Sequence, residues 1–174
     1  MFTQQLKVPK KRIAVIIGKK AETKNKIENK THTKLKIDSK EGDVTISGED
    51  SLNVYITKNI IFAIGRGFNP DLSLTLLNEN STLEVINMID YTGKSKRKQI
   101  RVKSRLIGTK GKARYNIERL TNTKISIYGK TVSIIGDIED VSIAREGIES
   151  LLKGAPHGNA YRLIERKLSL KKTL

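Results

Sequence analysis

The residues with the clearest chemical potential are Gly108, Thr109, Lys110 and Gly111, set between an aliphatic run and a basic helical pattern in SRLIGTKGKARYNIERL (104–120). Two glycines separated by threonine and lysine can form a tight turn whose backbone, free of Cβ atoms, approaches a sugar-phosphate closely. Amides at the start of the following helix then face the anion, and the two middle side chains add polar and basic contacts. The bare pattern is weak, because in a chain of 174 residues with 13 glycines roughly one Gly-x-x-Gly is expected by chance. Its weight comes from its surroundings.

The surroundings are strongly basic. Lys and Arg number 34 against 18 Asp and Glu, a net charge of +16, which favours polyanionic partners. Nucleic acid is the better candidate, since membrane binding would call for a basic amphipathic helix with bulky apolar residues opposite, and no tryptophan is available for the interface. From Tyr91 to Ile117 no residue is acidic, while Lys94, Lys96, Arg97, Lys98, Arg101, Lys103, Arg105, Lys110, Lys112 and Arg114 are basic. On a helix over 94–107, Lys94, Lys98, Arg101 and Arg105 share about a 60° sector leading to the turn.

Other chemistries find little support. Cysteine is absent, and His32 and His157 are the only histidines, so no metal site and no cofactor is expected. The acidic residues are dispersed and form no catalytic constellation, so an enzyme is not expected. His157, before the last helix, reads as a capping residue. The longest apolar run is IIFAI (60–64), and MFTQQLKVPKKR at the N-terminus lacks a signal-peptide pattern. The expected setting is cytoplasmic.

The chain is a duplication. Residues 15–37 lie over 105–127 without a gap, placing Gly18 on Gly108, Ile27 on Ile117, Glu28 on Glu118, Thr31 on Thr121, Thr33 on Thr123 and Ile37 on Ile127. VTISG (44–48) then matches VSIIG (132–136) after a turn two residues shorter in the second copy. In the second copy, periodicity predicts a strand over 83–89, a helix over 94–107, the GTKG turn and a helix ending near Thr121. A hairpin of 124–128 with 131–135 and a final helix over 138–152 follow. The first copy repeats this order through 5–8, 10–17, 21–31, 33–38, 43–48 and 50–64. Its last helix is apolar on most sides (Tyr55, Ile56, Ile60, Ile61, Phe62, Ile64), which predicts a buried helix and two copies packed together. Asn69-Pro70 signals a short helix between the copies.

A turn of this kind, with a helix–strand groove beside it, can hold about four nucleotides of single-stranded nucleic acid. Leu106, Ile107, Ile117 and Ile125 are candidates for an aliphatic groove, and with three Phe and five Tyr the chain has few rings for a stacking platform. In the first copy the turn is GKKA (18–21), with Ala21 in place of the second glycine, so Gly18, Lys19 and Lys20 form a weaker candidate site.

This module resembles the KH domain of the eukaryotic (type I) topology, an α+β fold with β-α-α-β-β-α order, present twice. AIGRGFNPDLSLTLLNENSTLEVINM (63–88), RLIGTKGKARYNIERLTNTKISIYGKTVSIIGD (105–137) and GAPHGNAYRLIERK (154–167) further resemble the Dim-two / partner-of-Nob-one and Krr-one assembly factors of the small ribosomal subunit, in their compact archaeal form. The resemblance implies a degenerate first KH domain (1–68), a linker with a short helix (69–82), a second KH domain (83–154) and a C-terminal basic helix (155–174). It implies binding to single-stranded RNA near the 3′ end of small-subunit rRNA within a pre-ribosomal particle. The rRNA-trimming endonuclease, the rRNA dimethyltransferase and a translation initiation factor would be nearby partners. Its RNA-contacting turn carries over onto Gly108, Thr109, Lys110 and Gly111. The third residue after that turn is aliphatic in generic KH domains; here it is Arg114, a departure from the four-base pocket. Two alternatives stay open from the residues alone: a general single-stranded RNA-binding KH protein, and a basic protein-interaction scaffold without RNA specificity of its own.

Overall fold

The computed structural model describes all 174 residues. They form two compact units, Met1–Glu79 and Asn80–Leu174. No helix is long and apolar enough to cross a membrane.

In the first unit, β1 (Phe2–Lys7), β2 (Lys34–Asp38) and β3 (Asp43–Gly48) form an antiparallel sheet of order β1-β3-β2. The register sets Leu6 and Ile37 beside Val44, and Gln4 and Leu35 beside Ile46. Helices α1 (Lys10–Ile17), α2 (Glu22–Thr31) and α3 (Ser51–Gly65) cover one face, and α4 (Pro70–Ser73) follows. Asn69 caps α4 by accepting the Leu72 amide at 2.7 Å, as the Asn-Pro signal required. The core gathers Ile13, Ile16, Ile27, Val44, Ile46, Ile60, Ile61 and Ile64.

The second unit repeats this plan. Strands β4 (Ser81–Asn87), β5 (Lys124–Tyr128) and β6 (Thr131–Asp137) pair in the order β4-β6-β5. After a short α5 (Ile89–Thr92) come α6 (Lys96–Ile107), α7 (Lys112–Thr121), α8 (Ile138–Leu152) and α9 (His157–Lys172). The chain is therefore two β-α-α-β-β-α modules with a C-terminal helix, as the repeat predicted.

The matched polar residues of the repeat have structural work in both copies. Thr31 and Thr121 bond back to the carbonyls of Ile27 and Ile117, and to Thr33 and Thr123. The carboxylates of Glu28 and Glu118 accept the amides of Leu35 and Ile125 at 2.8 and 2.9 Å. These bonds close the second helix onto the following strand across left-handed His32 and Asn122.

Three expectations change. Lys94 lies outside α6, because Ser95 caps that helix through the Lys98 amide and Gly93 turns the chain at φ 61°. Helix α3 is not buried all round, since Tyr55 is 58% and Phe62 37% exposed. Strand β4 begins and ends two residues earlier than its alternation suggested.

Central strand β6 is buried on both sides from Val132 to Ile135. Within it the Ser133 hydroxyl has no hydrogen-bond partner. A buried hydroxyl left unpaired is costly. Ser133→Ala is therefore expected to leave stability unchanged or raise it by up to about 1 kcal/mol in urea denaturation. A loss larger than that would show that the hydroxyl is satisfied in solution.

Candidate nucleic-acid interface

The GTKG segment joins α6 to α7 through a turn that only particular residues can make. Gly108 has φ 74° and ψ 176° and ends α6, its amide bonding the Ser104 carbonyl at 2.9 Å. A Cβ on Gly108 would sit 2.7 Å from the Ala113 Cβ and 2.8 Å from its amide nitrogen, so this glycine is required for packing. Lys110 (φ 54°) and Gly111 (φ 74°) are both left-handed. A Cβ on Gly111 would meet nothing within 4 Å. The second glycine thus serves backbone conformation and an open approach from solvent, the property a phosphate-binding turn needs. No side chain caps the N-terminus of α7, so its first amides have no side-chain acceptor.

The first unit makes the same turn. Gly18, Lys20 and Ala21 have φ of 74°, 52° and 61°. Ala21 therefore holds a left-handed conformation that costs an L residue about 1–2 kcal/mol. Ala21→Gly should relieve that strain, offset by the entropy of glycine, for a net gain below about 1 kcal/mol in urea denaturation. A clear loss of stability would mean that the Ala21 methyl makes a packing contact.

Beside GTKG lies a cleft of about 540 Å³, lined by Arg101, Ser104 and Arg105 of α6, Gly108 and Thr109 of the turn, Lys112 and Ala113 of α7, and His157 and Tyr161 of α9. Five residues singled out by sequence thus meet in one place: Arg101, Arg105, Gly108, Thr109 and Lys112. Lys110 and Arg114 are exposed next to it. Lys98 joins Arg101 and Arg105 in a second cleft of about 500 Å³ with Lys153. Ile107 is half-buried at the end of α6.

Two expected roles change. Ile125 is 5% exposed within the core, alongside Leu106 and Ile117. The Glu118 carboxylate ties its amide against α7, and its side chain packs with Leu106 and Ile117 in the domain core, so these three residues do not line an open groove. Arg105 is partly committed to structure. Its guanidinium donates to the Leu151 carbonyl at 2.9 Å and to the Ala155 carbonyl, satisfying acceptors at the end of α8.

The cleft's fourth wall was not foreseen. His157 does not cap α9; its Nε2–H donates to the Arg105 carbonyl at 2.8 Å, and its ring lies 6.3 Å from that of Tyr161. Helix α9 lies along α8, with Ala160 and Ile164 fully buried. Lys171 bridges Asp140 at 2.7 Å and Lys167 meets Glu146 at 3.3 Å. The hydrogen bond with Asp140 holds the Lys171 pKa above its ordinary value.

Of the basic residues in this unit only Arg145, Lys167 and Lys171 are in ion pairs. The ten from Lys94 to Arg114 are all without one, and they are set apart by their density and by the absence of any acidic residue among them. A dense cationic face without internal counter-charges is the electrostatic footprint of a polyanion site. No group of three or more potential metal ligands gathers anywhere in the chain.

Comparison with known proteins places this geometry in a family. The second KH domain of PNO1 proteins, described as a eukaryotic-type KH domain (KH-domain type I), matches residues 82–169, and the general KH domain matches 3–63. A KH domain-containing protein of Methanocaldococcus jannaschii is 46% identical over 166 residues, covering 93% of this chain and 72% of that protein. The pre-rRNA-processing protein PNO1 of Chaetomium thermophilum is 31% identical over 109 residues, 59% of this chain and 40% of that protein. The chain thus spans about two fifths of PNO1's length. Among solved structures, a chain of the a/eIF2alpha–aDim2p–rRNA complex from Pyrococcus horikoshii superposes with a TM-score of 0.89 at 45% identity, over 99% of this chain and 96% of that one. The chain belongs to the family of tandem KH-domain proteins that includes PNO1 and archaeal Dim2p.

Proposed function

We propose that this protein is a non-catalytic assembly factor of the small ribosomal subunit, and that its second KH domain binds single-stranded RNA near the 3′ end of the small-subunit rRNA. The observation that carries the reading is the unpaired cationic face running through α6, the open GTKG turn and the start of α7. Phosphates would lie against Gly111 and the first amides of α7, with Thr109, Lys110 and Lys112 beside them. Arg101 and Lys98 would take the strand onward, and Arg114 would contact it from the far side of the turn. The first domain, with Ala21 in its turn, is the weaker site through Gly18, Lys19 and Lys20. Two relatives support the assignment: PNO1 is a pre-rRNA-processing protein, and the matched P. horikoshii complex holds rRNA and a/eIF2alpha with aDim2p. Within the pre-ribosomal particle the protein would work beside the trimming endonuclease and the dimethyltransferase, positioning their RNA substrate.

Fluorescence anisotropy with an RNA matching the 3′ end of the small-subunit rRNA, against a scrambled RNA, tests this reading. The 3′ sequence should bind more tightly. Log affinity should fall with log salt at about −0.7 per phosphate contacted. Equal affinity for both RNAs at every salt concentration would contradict the assignment.

A further inference from the structure

The two units are alike enough that each shows what the other lacks. Helices α3 and α8 are both 15 residues long and begin directly after Asp50 and Asp137. Their buried residues coincide, Val54 with Val141, Thr57 with Ala144, Ile61 with Ile148 and Ile64 with Leu151. Lys58 therefore occupies the place of Arg145, and Phe62 that of Glu149. On the first strand, Gln4 beside Ile46 corresponds to Glu84 beside Ile134.

In the second unit this place is electrostatically closed. Arg145 donates to Glu149 at 2.8 Å and also to Glu84, and these bonds hold its pKa above the ordinary value. In the first unit both carboxylates are gone. Gln4 and Phe62 stand in their places, and half-buried Lys58 makes no ion pair or hydrogen bond. Around it the surface is apolar. Tyr55 and Phe62, three residues before and four after Lys58 on the same helix, are 58% and 37% exposed. Phe2, on the Gln4 side of β1 by alternation, is 51% exposed, and Leu52 one turn before Tyr55 is 61% exposed.

We infer that this surface of the first unit, centred on Lys58 between Tyr55 and Phe62, docks an acidic amphipathic segment of a partner protein. One carboxylate of that segment pairs with Lys58 as Glu84 and Glu149 pair with Arg145. Charge complementarity selects the occupant: the second unit shows that a cation at this position is satisfied by carboxylates at side-chain range. The Leu52, Tyr55 and Phe62 surface adds apolar contact at helical spacing, suited to leucine-type side chains of the partner. A second copy of this chain is a poor fit, because its amphipathic helices α1, α6, α7 and α9 are all net basic. The inference does not depend on the RNA reading.

The test uses the full isotope-labelled chain and a synthetic peptide of roughly 14 residues, helical, with leucine on one face and glutamate on the other. Its leucine–lysine counterpart and a single-stranded oligouridine serve as further probes. Backbone amide shifts locate each one. The glutamate peptide should move the amides of 52–62 saturably, and Lys58→Glu or Tyr55→Ser should weaken that effect about tenfold. The lysine peptide should act there only on the Lys58→Glu variant. Amide spectra of both variants, unchanged outside the patch, confirm that the fold is kept. The inference is overturned if the glutamate peptide moves only the basic α6 surface, if it moves nothing, or if oligouridine is the probe that moves 52–62.

Discussion

Thr109→Asp combined with Lys110→Asp lowers affinity for single-stranded RNA by about 30-fold or more while leaving the domain folded. The substitution replaces one positive and one neutral side chain with two negative ones at the turn where phosphate is proposed to lie. Loss of a charge-assisted contact and its replacement by repulsion corresponds to about 2 kcal/mol, and each 1.4 kcal/mol is about a factor of ten. The fold is expected to survive for identifiable reasons. Thr109 and Lys110 are exposed, and aspartate tolerates the left-handed conformation that Lys110 holds at φ 54°. Gly108 and Gly111, which shape the turn, are untouched. The parallel change of Lys19 and Lys20 to Asp should cost much less, since the first turn offers Ala21 where an open backbone is needed. Anisotropy on the two double variants, with thermal melts as the control for folding, checks both statements. Equal losses from the two turns would show that net charge alone governs binding.

The second large effect lies away from the turn. Gly147→Leu is expected to undock α9. A Cβ at Gly147 would lie 2.4 Å from Ile164 Cδ1 and 2.7 Å from its Cγ1, so a branched side chain cannot fit between α8 and α9. Overpacking of this kind costs about 1–3 kcal/mol. Release of α9 would add the exposure of Ala160 and Ile164, now fully buried. It would also break the His157 bond to the Arg105 carbonyl and remove His157 and Tyr161 from the cleft wall. Urea denaturation should show a loss of about 2–4 kcal/mol, with hydrogen exchange faster across 157–172 and RNA affinity reduced. Unchanged protection of α9 would contradict this account of its docking. Gly147→Ala gives a graded comparison, because the alanine methyl gains about 1 kcal/mol of helix propensity against a smaller clash.

Gly147 also marks what a linear reading could and could not supply. The duplication was legible because local bonding repeats locally. Glu28 and Glu118, Thr31 and Thr121, Thr33 and Thr123 recur at one spacing since each pair makes the same short-range bonds. The GTKG turn was legible for the same reason, as its glycines answer a backbone demand visible in sequence. Side-chain destinations set by tertiary packing were not. Arg105 sits on a basic helical stripe, yet carbonyls about fifty positions later draw its guanidinium inward. Ile125 is aliphatic beside the turn and reads equally well as groove or core; its packing with Ile117, Ile134 and Ile148 decides for the core. His157 and Tyr161 enter the cleft only because α9 folds back along α8. The one advance signal was a glycine inside a helix, at the place where the first copy has Ile60. Lys94 shows a smaller limit, since a cap at Ser95 displaces it from a stripe that periodicity alone would extend.

The most direct test of the central claim is an amide chemical-shift titration of the isotope-labelled chain with the 3′-terminal single-stranded RNA of the small subunit. The two turns, alike in backbone conformation, serve as internal controls for each other. The account predicts large, saturable shifts at Gly108–Arg114 and along Lys98–Arg105, with Gly18–Lys24 moving little. Shifts centred on Gly18–Lys24, or spread evenly over both units with no preference for the GTKG turn, would contradict it.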